Sequence, residues 1–162
     1  MYTCDINRME EKITKFSSFG DTGNGGITRF SLSAEAICAR NEIKARMTKL
    51  GLDFKTDDIG NIYCTLPGTD SDAGVIMSGS HCDSVKQGGN YDGILGVLTA
   101  MEVIETIVVN KYELFGIVFV FSSKYFNIID AVPVMSPTVI VLSLSTSAFF
   151  IALPSRFLSP TR

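Results

Sequence analysis

The sequence predicts an α/β fold with a mostly parallel central sheet. Two segments, residues 34–50 and 92–109, repeat apolar side chains at the three- and four-residue spacing of helices that are buried on one face. Between them, residues 75–80 form a short apolar run that is hydrophobic enough for a central strand. The length of 162 residues suits a single domain or a piece of a larger one.

The chain before residue 52 predicts two helices joined by a loop. Apolar residues at spacings of three and four indicate a first amphipathic helix: Ile6, Met9, Ile13 and Phe16. Residues 20–26 are rich in glycine and predict a loop. Ser33 is placed to cap the second helix, over residues 34–50, and Gly51 is the type of residue that follows a helix C-terminus.

Two short strands are predicted next, one near Phe54 and one over residues 62–66. They flank a polar turn at residues 57–61, where the two aspartates are expected to shape the turn and not to form a site. The third strand, at residues 75–80, leads into a loop that ends at Tyr91.

A helix is predicted to open at Asp92 and to end near Val109. Its buried face contains the apolar residues Ile94, Val97, Leu98, Met101, Ile104 and Val108. Asp92 is expected at the helix N-terminus, where the helix dipole and unpaired N–H groups favour a carboxylate. Glu102 and Glu105 are expected on the solvated face of the same helix.

The composition changes near residue 112. Residues 1–112 carry 11 Lys/Arg and 15 Asp/Glu, whereas residues 113–162 carry 3 Lys/Arg and 2 Asp/Glu. Residues 114–121 predict one more buried strand. The apolar run at 139–153 lies between two prolines and is shorter than the roughly 20 residues that span a bilayer, so a membrane segment is not favoured over a poorly folded or non-native tail.

Charge and cysteine content exclude several classes of function. The net charge of -3 provides no basic stripe for nucleic acid. Cys4, Cys38, Cys64 and Cys82 are irregularly spaced, with no CxxC pair, which argues against a cysteine-based zinc knuckle and fits a reduced compartment. The N-terminus lacks the apolar region of a secretory signal, so a cytoplasmic location is expected.

The segment from Ser80 to Gly93 concentrates the chemistry of the chain. His81 is the single histidine, and a neutral imidazole is a good ligand for zinc-like cations. Asp83, two residues on, can hydrogen-bond the other ring nitrogen, and Asp92, beyond a Gly-Gly turn, can fold back as a second ligand. Cys82 is expected to point away from His81, as neighbours in an extended segment do. The pattern indicates half of a metal site.

Residues 79–85 and 88–97 resemble the metal-binding core of the dinuclear-zinc amidohydrolases and exopeptidases that include aminoacylase and carboxypeptidase relatives. The resemblance is closest to the carbamoylase subgroup, which contains allantoate amidohydrolase, β-ureidopropionase and N-carbamoyl-L-amino-acid hydrolase. Residues 26–30 resemble its G-x-T-R-L segment, and residues 51–61 resemble its segment ending in Gly-Asn. The resemblance covers about residues 5–112.

The resemblance implies a zinc-exopeptidase-like catalytic domain, of which residues 1–112 are the N-terminal part. It implies that His81 binds one metal ion, that Asp92 bridges two, and that Asp83 acts in catalysis by polarising His81. Two divalent ions (zinc, manganese or cobalt), a small N-carbamoyl or ureido substrate and a homodimer follow from the same resemblance. The expected reaction is the hydrolysis of a linear amide or ureido C–N bond.

The sequence departs from this pattern after residue 112. The resemblance implies a strand that ends in two glutamates, two further histidines and an inserted lid domain. The chain has no glutamate after Glu113 and no second histidine, and residues 119–123 stand where the two glutamates are expected. The catalytic domain is therefore expected to be incomplete. The alternative is a truncated or membrane-associated fragment without hydrolase activity.

Overall fold

A computed structural model describes residues 3–70, 73–114, 116–123 and 139–143. Within these residues the chain forms three α-helices and five β-strands. The helices are α1 (Ile6–Ser17), α2 (Ala34–Lys49) and α3 (Ile94–Val109). The strands are β1 (Asp53–Thr56), β2 (Ile62–Leu66), β3 (Val75–His81), β4 (Ile117–Ser123) and β5 (Val139–Ser143).

The described strands form one mixed sheet in the order β1-β2-β4-β3-β5. β1 pairs with β2, and β2 with β4, in antiparallel fashion, while β3 is parallel to both β4 and β5. The α/β class is confirmed, and this part of the sheet is divided between parallel and antiparallel pairs. The connections explain the division, because α3 carries the chain from β3 to a parallel strand, whereas the short turn after β1 can join only antiparallel strands.

Local capping sets the helix boundaries that the sequence predicts. Ser33 is the N-cap of α2, and its Oγ accepts a hydrogen bond from the Ala36 N–H at 3.2 Å. Gly51 has a φ of +85°, the left-handed conformation that commonly follows a helix C-terminus. Asp5 caps α1 by accepting a hydrogen bond from the Asn7 N–H at 2.9 Å.

The start of α3 differs from the prediction, because the helix begins at Ile94 and not at Asp92. The N-cap is Gly93, with a φ of +68° and a ψ of -55°, and no side chain caps the helix. The Ile94 N–H donates to the Asp92 carbonyl oxygen at 2.7 Å, which closes a γ-turn. The Ile94 N–H is thus paired with the backbone of Asp92 and not with its side chain.

The prediction that Glu102 and Glu105 are solvated was wrong. The Glu102 side chain is 2% exposed, and its carboxylate pairs with Arg8 at 2.6 Å and with Lys12 at 2.8 Å. Glu105 is partly buried and pairs with Lys12 at 2.5 Å. These contacts arise because α1 packs on this face of α3 and brings two cations to it.

The hydrophobic core lies among the three helices and the sheet. α3 packs on β3 and β4, α1 packs on α3, and α2 packs on β1 and β2. The most deeply buried residues of the core are Phe16, Ala39, Ile43, Met47, Ile62, Cys64, Val97, Leu98, Met101 and Ile104. This packing holds the C-terminal end of β3 beside the start of α3, as expected for a site in an α/β fold.

Beyond residue 112, the described elements are β4 and β5. β4 confirms the strand that is predicted within residues 114–121. β5 lies at the start of the apolar run 139–153, and the remainder of that run lies outside the described residues. Within the described part of the chain, no helix has both the length and the apolar content of a membrane-crossing segment. The predicted boundary at residue 112, between the catalytic-domain part and the apolar tail, stays a prediction.

Candidate functional site

His81 is the last residue of β3, and it is 7% exposed. Its Nδ1 atom lies 3.1 Å from the carbonyl oxygen of Asp83 and 3.1 Å from Asp83 Oδ1. A carbonyl oxygen can only accept a hydrogen bond, so Nδ1 is the nitrogen that carries the proton. This tautomer places the lone pair on Nε2, which is the arrangement of a metal-ligating histidine.

Asp83 connects His81 to the loop before α2. Its Oδ2 accepts a hydrogen bond from Ser31 Oγ at 2.9 Å, while Oδ1 faces the imidazole. Burial raises the pKa of Asp83, but the hydrogen bonds from His81 and Ser31 outweigh burial and lower the pKa below its ordinary value. Burial lowers the pKa of His81, and the hydrogen bond and charge of Asp83 outweigh burial and raise it.

The loop that carries Ser31 is bonded to the segment after β3. The Arg29 N–H donates to Ser84 Oγ at 2.8 Å, and the Ser84 N–H donates to the Arg29 carbonyl oxygen at 2.9 Å. The buried Arg29 guanidinium donates through Nε to the Cys82 carbonyl oxygen at 2.5 Å and through Nη1 to the Phe16 carbonyl oxygen at 2.9 Å. One side chain therefore joins the end of α1, this loop and the site segment.

Ser31 and Arg29 are site residues that sequence reasoning missed. Their partners Asp83 and Ser84 lie more than fifty residues away in the chain, so no local spacing indicates the contacts. The one available signal was that Arg29 belongs to the segment 26–30, which carries part of the resemblance.

Asp92 is exposed and lies on the γ-turn that precedes α3. The next residue, Gly93, packs so closely on the His81 ring that a Cβ there would overlap the imidazole. The charge of Asp92 is also one of the causes that raise the pKa of His81. The fold thus places the turn that carries Asp92 against the ring of His81. Cys82 belongs to the hydrophobic core, in agreement with the expected direction of its side chain.

The donors of this site suit a divalent transition metal but are few. An imidazole nitrogen and a carboxylate oxygen are ligands that zinc, manganese and cobalt accept. Across the described residues, no group of three or more His, Cys, Asp or Glu side chains could hold a metal ion. Catalytic zinc sites use three protein ligands as a rule. His81 and Asp92 therefore fit a metal site in chemistry but not in number.

The strand next to the site brings no carboxylate to it. In the parallel register of β3 and β4, Ser122 is the partner of Ser80, and Ser123 is the partner of His81. The resemblance implies two glutamates near the end of this strand. In the described strand, serines therefore pair with the end of β3, near the place where the resemblance implies the two glutamates.

No protein-family model matches the sequence. The chain is 40% identical over 95 residues to an allantoate amidohydrolase of Bacillus subtilis, covering 59% of this chain and 23% of that protein. It is 38% identical over 100 residues to an N-carbamoyl-L-amino acid amidohydrolase of Geobacillus stearothermophilus, covering 62% of this chain and 24% of that protein. A crystal structure of a hydantoinase/carbamoylase family amidase from Burkholderia multivorans aligns with a TM-score of 0.73 and 29% identity, over 75% of this chain and 29% of that one.

The chain spans about a quarter of the length of the curated relatives that it matches. Sequence and fold nevertheless indicate the same group of proteins, and this confirms the resemblance that residues 79–97 suggest. The roles of His81, Asp83 and Asp92 stay predictions.

Proposed function

We propose that this chain, a relative in sequence and fold of the allantoate and N-carbamoyl amino acid amidohydrolases, carries part of a metal-dependent site for the hydrolysis of linear C–N bonds. The substrate class is an N-carbamoyl or ureido compound, because the names of the relatives describe enzymes for such compounds. Hydrolysis of an N-carbamoyl amino acid by water would give the amino acid, ammonia and carbon dioxide.

The observation that carries the proposal is the geometry of His81. Its Nδ1 proton is directed to Asp83, which leaves the lone pair on Nε2 for a metal ion, and Asp92 lies on the adjacent turn. In the proposed roles, His81 and Asp92 hold metal, and Asp83 fixes the imidazole and increases its basicity. Bound divalent ions would supply Lewis acidity to the scissile carbonyl and to water.

A metal-binding chain without turnover is the second candidate function. Ser122 and Ser123 pair with the end of β3 where the resemblance implies two glutamates, and the sequence has no glutamate after Glu113. A site without a carboxylate base can bind a metal ion and a carbonyl compound, but it lacks the group that accepts a proton from water.

Metal titration of the full chain tests the proposed ligands. We expect calorimetry to detect Zn²⁺ binding, and we expect Co²⁺ to give a visible spectrum with His81 as a ligand. His81→Gln and Asp92→Asn are each expected to weaken binding by about tenfold or more. Asp58→Asn is the matched control, because Asp58 is an exposed turn residue away from the site. Undiminished binding by both ligand variants would overturn the assignment.

An assay of ammonia release separates the two candidate functions. The metal-loaded chain is incubated with allantoate or with N-carbamoyl-L-amino acids. Release that Asp92→Asn abolishes would support the hydrolase. Zinc binding through His81 with no ammonia release would support the second candidate.

A further inference from the structure

We propose that Ser31 is a positioning residue for His81, which it holds in ligand geometry through the carboxylate of Asp83. The inference rests on the proposed function, because it concerns the orientation of a proposed metal ligand. Ser31 stands in no motif of the sequence, and its contacts in the folded chain carry the argument.

The two oxygens of the Asp83 carboxylate are held by different partners. Oδ1 lies 3.1 Å from Nδ1 of His81, and Oδ2 accepts a hydrogen bond from Ser31 Oγ at 2.9 Å. A carboxylate held at both oxygens cannot rotate about its Cβ–Cγ bond without breaking one of these contacts. Ser31 therefore fixes the plane of the group that orients the imidazole.

The backbone that carries Ser31 is held on both sides. Before it, Arg29 and Ser84 exchange hydrogen bonds of 2.8 and 2.9 Å. After it, the Ser33 N–H donates to the Phe30 carbonyl oxygen at 3.0 Å, a backbone bond that closes a turn around Ser31, and α2 begins at Ala34. The hydroxyl of Ser31 is thus held at a fixed place relative to the carboxylate, because backbone bonds close its turn and Arg29 bonds the same loop to the segment after β3.

A cation lines the same cavity as the carboxylate. A cavity of about 130 Å³ is lined by Ser31, Asp83 and Arg40, together with apolar side chains. Arg40 Nη1 is buried and has no hydrogen-bond partner among the described residues. A guanidinium forms strong charge-assisted hydrogen bonds with carboxylates. Ser31 keeps the Asp83 carboxylate on the imidazole and away from Arg40.

The single histidine of the chain makes a direct test possible. In the metal-free full chain, at a pH where the imidazole is neutral, ¹H–¹⁵N NMR measures how fast the Nδ1 proton of His81 exchanges with water. Ser31→Ala is expected to speed this exchange about fivefold, the effect of one lost hydrogen bond. Ser31→Thr keeps the hydroxyl and is expected to keep the wild-type exchange rate.

Ser33→Ala is the matched control, because it removes a hydroxyl from the same loop and weakens the cap of α2. It leaves the contacts of Asp83 in place, so its imidazole exchange rate is expected to match the wild type. Adding Arg40→Met to Ser31→Ala is expected to return the rate toward the wild type, since the competing cation is gone. Equal rates in Ser31→Ala and the wild type, or equal acceleration in Ser31→Ala and Ser33→Ala, would refute the role.

Zinc affinity separates this inference from the proposed function. Ser31→Ala is expected to weaken Zn²⁺ binding about tenfold, and Ser33→Ala is expected to leave it unchanged. If the wild-type chain binds no zinc, the proposed function fails, and the exchange rates still decide whether Ser31 positions the ring. If the wild type binds zinc and Ser31→Ala alters neither exchange nor affinity, the positioning role alone fails.

Discussion

Gly93 is the single residue on which the geometry of the site depends most directly. It has a φ of +68° and a ψ of -55°, a conformation that residues with side chains rarely adopt. The ring of His81 occupies the space that a Cβ of Gly93 would fill. The absence of a side chain at this position therefore permits both the γ-turn that presents Asp92 and the contact that supports the imidazole.

We expect Gly93→Ala to lower the free energy of unfolding by about 2 kcal/mol and to displace His81, because it adds backbone strain and a steric overlap. Urea denaturation measures the first effect, and the imidazole resonances report the second. Gly89→Ala is the matched control, since a Cβ there meets nothing within 4 Å, and its expected effect is within about 0.5 kcal/mol. Equal effects of the two substitutions would contradict the argument.

The sequence predicts the proposed ligands of the site and the carboxylate beside His81, but not the loop that supports that carboxylate. His81, Asp83 and Asp92 lie within one short segment, so residue type and spacing were sufficient to select them. Ser31 reaches the same site from a loop that is distant in the chain, and hydroxyl side chains are common in loops for other reasons. Long-range hydrogen bonds of this kind leave no periodic signal in the sequence.

At the scale of elements, a buried ion-pair network attaches α1 to α3. Glu102 on α3 is 2.6 Å from Arg8 and 2.8 Å from Lys12, both of which lie on α1. The same carboxylate accepts a hydrogen bond from the Asp5 N–H, the N-cap residue of α1, at 2.9 Å. The Lys12 side chain is 1% exposed, so the network replaces the water that its ammonium group would otherwise bind.

We expect Glu102→Gln to lower the free energy of unfolding by about 3 kcal/mol, because the Lys12 ammonium would remain buried with only the partly exposed Glu105 as a partner. Chemical denaturation measures the change. Glu42→Gln is the matched control, because the pair of Glu42 with Arg46 is partly exposed, and its loss is expected to cost less than about 1 kcal/mol. A similar loss of unfolding free energy in both variants would show that burial does not make the network more stabilising than a partly exposed ion pair.

Helix positions were predictable from the sequence, but this contact between helices was not. The periodicity of α3 identifies its most apolar face, and the structure confirms that Val97, Leu98 and Met101 are buried. The apolar periodicity of α3 predicts that Glu102 is solvated. Burial of its carboxylate depends on cations from another element, which the periodicity of one helix does not show. Those cations come from α1, ninety or more residues earlier in the chain.

At the scale of the whole molecule, carboxylates that are stabilised in the folded state make stability depend on pH. Burial raises the pKa of Glu102, but hydrogen bonds from Arg8, Lys12 and the Asp5 backbone outweigh burial and lower the pKa to about 2. The pKa of Asp83 is lowered in the same way. The raised pKa of His81 acts in the opposite sense, with its stabilisation complete below its ordinary pKa and lost at higher pH.

We expect the free energy of unfolding to fall as the pH is lowered from about 5 to about 2. A carboxylate with a depressed folded-state pKa stabilises the fold above its unfolded pKa, and this stabilisation disappears as the pH falls through the folded value. Glu102 alone would contribute about 3 kcal/mol to the change, from a shift of the ordinary pKa of 4.5 to about 2. Urea denaturation at constant ionic strength measures the dependence, and Glu102→Gln should flatten it. His81 stays protonated throughout this range, so it does not contribute to the change. If Glu102→Gln leaves the pH dependence of the unfolding free energy unchanged, other carboxylates, and not the network between α1 and α3, control the acid sensitivity of the fold.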